Sequence, residues 1–297
     1  MKVRESVFID SAFASLTGLL GFAISTTLIL SQSTSAQEVL KKQAVARPFN
    51  LDIVGPVYER ATDTRSSDFA NNVLPEIDSM LSQKLSERSS IENISALSVD
   101  PSKLKLTTEA NARVYFVGEG AGYHNTLGFQ TFDTTAAMNN ASTITEGAQI
   151  VFPDASSKLG VVTDSGLKNT RRSWNEPLLP GDFVDLGNFA SGTLLDFFLV
   201  ANGARGGRNT YVFGSERNPD GLEHMVGFAL PGSPYLVLGF EDLFNGGDRD
   251  YNDLLFAVDI GELNVKTLVS APEPELWLLL AGFLVFIYYR THRAKKA

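Results

Sequence analysis

Six oxygen-bearing side chains fall within a short stretch of this 297-residue chain: Glu241, Asp242, Asp248, Asp250, Asn252 and Asp253. Carboxylates at that density repel one another. A hard cation removes the repulsion, and Ca2+ takes six to eight oxygen ligands at about 2.3–2.6 Å. Gly246 and Gly247 lie between the two acidic groups and let the chain fold back, bringing Glu241 and Asp242 to the same ion. The residues therefore read as a calcium site. The alternative is a solvated acidic turn stapled by Arg249.

Asp248, Asp250 and Asn252 have the alternate spacing that opens an EF-hand loop, but Asp253 stands where that loop needs glycine. Leu254, Leu255 and Phe256 follow at once, as in a strand. The segment is a carboxylate-rich β-turn. Other chemistries find less support. Gly118, Gly120 and Gly122 follow an apolar run, but the third glycine comes one place early for a dinucleotide loop and no helical pattern follows. There is no glycine-flanked serine elbow, zinc-binding His-Glu-x-x-His or phosphate loop. His124 and His224 could each be a base or a ligand, and a structural role is the simpler reading. Trp174, Tyr123 and Tyr211 could line a carbohydrate surface, though spacing does not put them on one face. Paired carboxylates could serve a polysaccharide-active enzyme, but these acids cluster in one turn.

The elements that must position the turn are strands. Short apolar runs at 112–117, 149–152, 194–201, 210–214, 224–230, 235–240 and 253–260 are separated by Gly, Asn, Asp and Pro clusters. No connection reads as a helical crossover, so the pairing should be antiparallel. The expected fold is all-β, a mainly antiparallel two-sheet β-sandwich over 98–262. Upstream, 37–97 reads as a linker with an amphipathic helix. Phe69, Val73, Ile77, Leu81 and Leu85 recur every fourth residue, after the cap candidates Asp63, Thr64, Ser66 and Ser67. Pro75 interrupts the pattern. Residues 263–271 read as a second linker.

Composition narrows the function classes. The formal charge is −9, so a nucleic-acid partner is not expected. The absence of cysteine removes disulfides, thiolate metal sites and cysteine nucleophiles together. Both ends read as address labels. Lys2 and Arg4 precede an apolar stretch from Ala12 to Leu30, and small residues at Thr34 and Ala36 place a signal-peptidase cut between Ala36 and Gln37. An uncleaved anchor helix is the alternative. At the other end stand Pro272, Glu273 and Pro274, then a charge-free apolar run from Leu276 to Tyr289, then Arg290, Arg293, Lys295 and Lys296. That run would make a helix of about 21 Å at ~1.5 Å per residue. This is short against a hydrocarbon core of about 30 Å. The basic tail should stay on the cytoplasmic side of the inner membrane.

Two family resemblances follow from these residues. Proline, acid, proline, apolar helix and basic stop over 272–297 resemble the PEP-CTERM sorting signal of Gram-negative bacteria. The resemblance implies a membrane protease, exosortase, that cleaves near the motif. Ala271 stands where valine is common, and Glu275 is less usual. The second series is Asn218, Pro219, Asp220, Gly221, Glu223 and His224, then Gly239 to Asp242, then Gly247 to Asp253. With Glu119 to Tyr123, Asn125, Leu127 and Gly128 upstream, it resembles the domain of unknown function 4114 family over roughly 100–262. That resemblance implies an exported or surface-attached protein and no established activity. The combined expectation is a non-enzymatic structural or adhesive module at the cell surface or in an exopolysaccharide matrix, stabilised by Ca2+. Its partners would be signal peptidase, an exosortase-like protease, exopolysaccharide or surface proteins. A secreted carboxylate-dependent enzyme and a plain membrane-anchored periplasmic domain are the alternatives.

Overall fold

Along Ala110–Gly118 (β1) the side chains alternate between two apolar environments. Ala112, Val114 and Phe116 enter one core cluster, while Tyr115 and Val117 enter another. A strand buried on both faces needs a layer on each side, and the rest of the fold supplies them. The computed structural model describes residues 40–41, 43–84, 104–157, 161–163, 166–168, 177–230 and 232–270. Its remaining strands are β2 (Thr126–Phe132), β3 (Gln149–Phe152), β4 (Val161–Thr163), β5 (Gly166–Lys168), β6 (Phe183–Phe189), β7 (Leu194–Val200), β8 (Thr210–Val212), β9 (Met225–Ala229), β10 (Tyr235–Phe240) and β11 (Leu254–Asp259).

These strands form a five-stranded sheet in the order β6-β1-β11-β10-β9 and a four-stranded sheet in the order β3-β2-β7-β8, with β4 and β5 as a separate pair. Every strand pair is antiparallel. The two larger sheets pack face to face as a β-sandwich. Their interlayer is rich in phenylalanine: Phe116 meets Phe152 edge-on, and Phe256 lies between Phe197 and Phe240. With no disulfide to constrain the unfolded chain, this burial carries the stability. All seven expected strand segments are present. β2, β4, β5 and β6 are additional.

The outer face of the five-stranded sheet is closed by the upstream helix. Asp63 caps it reciprocally with Ser66: the Asp63 carboxylate accepts from Ser66 N, and Ser66 Oγ accepts from Asp63 N. The helix runs as α1 (Thr64–Asp68), a π-helical turn over Phe69–Val73, and α2 (Leu74–Lys84). Pro75 comes just after the π-helical turn inside this continuous helical run, at the point where the hydrogen-bond ladder is already irregular. Phe69, Val73, Ile77 and Leu81 are buried together against Tyr115, Phe183, Tyr235 and Val237. Charge fixes the docking angle. Arg113 reaches from β1 to Asp63 at 2.8 Å and to Asp185 on β6 at 2.6 Å, with its guanidinium over the Phe183 ring. Arg65 pairs with Asp259 at 2.7 Å.

Two segments expected as linkers are therefore built into the described structure. Ahead of the helix, Tyr58 bridges Phe183 and Ile53 bridges Ile150. After β11, residues Glu262–Ser270 form a helix, preceded by the short α3 (Thr135–Asn139) in chain order and labelled α4. Asn264 on α4 accepts from the N–H groups of Thr107 and Thr108, and Val265 enters the inter-sheet core. The expected export signal and its expected cleavage pair Ala36 and Gln37, the Pro272–Pro274 motif, the apolar run after it and the basic tail all lie outside the described residues. Among the described residues, no helix is long and apolar enough to cross a membrane.

Candidate metal centre

β10 and β11 are paired through Phe240 and Leu254, so Glu241 and Asp253 flank the mouth of the loop that joins them. Register alone brings these two acids together. The loop between needs unusual backbone: Asn245, Gly246, Gly247, Arg249 and Tyr251 all have positive φ. For Arg249 and Tyr251 such φ values are uncommon and persist only where surroundings hold them. Tyr251 is held by burial in the helix-covered cluster. Glycine at 247 is favoured on two counts. Its φ is +43°, and a Cβ there would overlap Glu241 Oε1.

Two neighbouring connections complete the site. From the β1–β2 turn, Gly120 N donates to Asn252 O at 2.8 Å, and Asn125 Nδ2 donates to Asp242 Oδ2 at 2.7 Å. A Cβ at Gly120 would overlap Asn252 Oδ1. From the β8–β9 connection, the buried His224 contacts the Glu241 carbonyl through Nδ1 at 2.9 Å and Asp220 Oδ2 through Nε2 at 2.9 Å. Asp220 also accepts from Asn245 N, across the loop. Tyr211 stacks on the other face of this arrangement, 3.9 Å from the His224 ring.

The acids divide into two sets that share one member. Carboxylate oxygens of Glu241, Asp242 and Asp253 lie within 4.8 Å of one another, and so do those of Glu241, Asp248 and Asp250. Glu241 is 1% exposed, and neither of its carboxylate oxygens has a hydrogen-bond partner. Burial, and then the charge of Asp253, push its acid up to about 9. Asp242 is pushed up to about 7, again by burial first and Asp253 second. Asp253 is raised as well, chiefly by burial. Without a cation this loop must keep protons on groups that are ordinarily ionised.

The six expected site residues thus share one loop, in different roles. Asp248 is exposed, whereas Glu241, Asp242, Asp250 and Asn252 are buried. Asn252 holds Asp250, donating from Nδ2 to Oδ2 at 2.6 Å and from its backbone N to Oδ1 at 3.2 Å. Arg249 is exposed and makes no ion pair among the described residues. Asn125, Gly120 and Asp220 are supporting residues that the loop sequence by itself did not point to. The glycine-rich turn and the Asn218–His224 series were the signals available for them.

The histidines serve the scaffold. His224 is part of the loop support. His124 Nδ1 faces both Asp154 Oδ2 at 3.0 Å and Ser156 Oγ at 3.2 Å. A catalytic triad needs its serine on the other ring nitrogen, so this constellation lacks that geometry. Tyr211 is fully buried and Tyr123 exposed, and Trp174 lies outside the described residues. No curated protein and no solved structure matches the chain. Residues 189–261 match the family model described as a domain of unknown function (DUF4114), a stretch that opens at the last residue of β6 and takes in β7 to β11 with the whole acidic loop.

Proposed function

We propose that this chain is an exported structural or adhesive module whose sandwich is locked by calcium in the β10–β11 loop. Glu241 carries the reading. An acid buried with both oxygens unpartnered, and shared by two sets of carboxylates whose oxygens lie within 4.8 Å, needs a divalent cation to ionise at neutral pH. Calcium fits better than magnesium because the ligands are carboxylates set on a bent loop, and Ca2+ tolerates irregular geometry that Mg2+ does not. Convergence of the acids on one loop favours a cation over two catalytic groups facing across a sugar. The two terminal signals supply the address. The export signal is cut between Ala36 and Gln37, and the Pro272–Glu273–Pro274 motif hands the protein to an exosortase-like protease for delivery to the surface or matrix. There the partners are exopolysaccharide or surface proteins.

The test is thermal unfolding of the purified protein with millimolar calcium, with chelator, and with magnesium. Calcium at about a hundredfold over its dissociation constant adds roughly 2.7 kcal/mol, or about 5–10 °C for a domain of this size. The rise should be specific to calcium. An unchanged midpoint would remove the calcium claim. Intact mass of the protein recovered from the cell surface tests the sorting half: its C-terminus should fall near Pro272–Pro274. A surface-recovered chain that still carries Arg290 to Lys296 would make it a plain anchored domain.

A further inference from the structure

Oxygens bound to one Ca2+ lie at most about 5 Å apart, twice the ligand distance. The five carboxylates of the loop do not form one such set. They form two, Glu241 with Asp242 and Asp253, and Glu241 with Asp248 and Asp250. Resting on the calcium reading above, we infer that the loop holds two cations, an inner and an outer one, bridged by the Glu241 carboxylate.

Three observations carry this. Glu241 is buried and both of its carboxylate oxygens are unpartnered, so each is available to a different ion. Two-metal sites hold their ions about 3.5–4 Å apart, a separation that one carboxylate spans. Charge points the same way. One divalent ion among five carboxylates leaves three of their negative charges uncompensated by metal where four of the acids are buried or half-buried. A second ion leaves one.

The two positions differ in build. In the inner set, Asp242 Oδ2 is taken by Asn125 and Asp253 Oδ2 by Asp242 N, which leaves one oxygen of each turned to the ion. In the outer set, Asn252 orients Asp250, while exposed Asp248 accepts no hydrogen bond from the described residues. The inner ion is shielded by protein. The outer ion is open to water and depends on the turn that Gly246 and Gly247 permit.

Equilibrium dialysis of the metal-stripped full chain against calcium, with bound metal read by atomic emission, decides the matter. The expected stoichiometry is two calcium ions per chain, falling to one in Asp248→Asn, a near-isosteric change at an exposed position. One ion in the native chain would overturn the second position and leave the single-calcium reading standing. Two ions retained in Asp248→Asn would overturn the assignment of the outer position. No bound calcium in the native chain would overturn both readings. The native measurement needs no variant, so a folding defect in the mutant cannot obscure it.

Discussion

Glu241→Gln is expected to move the unfolding midpoint in opposite directions with and without calcium. In the chelated protein the native acid is a burden, because burial and the neighbouring Asp253 hold it up at about 9. A folded acid that holds its proton more tightly than the unfolded one makes stability fall as pH rises. The fall should begin near the ordinary value of 4.5 and continue to about 9, with Asp242 adding to it below about 7. A tenfold change in proton affinity is worth about 1.4 kcal/mol, so the metal-free protein should lose on the order of a few kcal/mol between pH 5 and pH 8. Glutamine mimics the protonated acid. It should flatten that slope and raise the chelated midpoint at pH 8. With calcium present the ionised acid is the useful form, and the variant should lose the calcium-induced rise. Thermal unfolding from pH 5 to 9, with calcium and with chelator, checks both arms. A variant that is less stable in chelator and still gains from calcium would show that Glu241 is a packing residue and not a ligand.

The visibility of this loop in sequence, and the obscurity of its support, have a common physical origin. Carboxylate density within a few residues is a local property, so Glu241, Asp242, Asp248, Asp250 and Asp253 were legible as one site. What Asn252 does besides depends on where the β1–β2 turn arrives: its Nδ2 donates to Asp250 and its backbone carbonyl accepts from Gly120 N. Arg249 looked like a counter-ion by proximity, but it is exposed and makes no ion pair among the described residues. The strands follow the same division. β10 and β11 are continuous apolar runs and read plainly. β2 and β6 did not, because Gly128 and Gln130 interrupt one and Asp185, Gly187 and Asn188 the other. Each interruption has a distant cause. A Cβ at Gly128 would overlap the Phe198 ring, and Gln130 is buried because Asp196 and Arg217 form an ion pair beside it. Glycine and buried polar groups that answer to a partner far along the chain carry no local signature.

The docking of the upstream helix is the largest feature that periodicity left open, and Phe69→Ala measures it. The four-residue recurrence of Phe69, Val73, Ile77 and Leu81 predicts one apolar face but not what covers it. That face closes the outer side of the five-stranded sheet, and Phe69 lies at its centre, 3.9 Å from the Tyr115 ring and edge-on to Tyr235. Truncating a fully buried phenylalanine costs about 3–5 kcal/mol, the lost burial plus the cavity left behind. The expected outcome is a midpoint lower by roughly 10 °C or more. A linker helix that merely passed the domain would give a change of less than about 1 kcal/mol in urea unfolding, and that result would separate the helix from the fold. The loss should also reach the acidic loop. Tyr251, whose strained backbone lies between Asp250 and Asn252, is buried in the same cluster that Phe69 closes. Loosening that cluster frees Tyr251 to relax, which moves Asp250 away from Glu241. Residues that share a cluster couple, whereas distant ones add independently. Phe69→Ala should therefore bind calcium more weakly as well as unfold earlier, and a variant destabilised with unchanged calcium affinity would show that the helix supports the sheet alone.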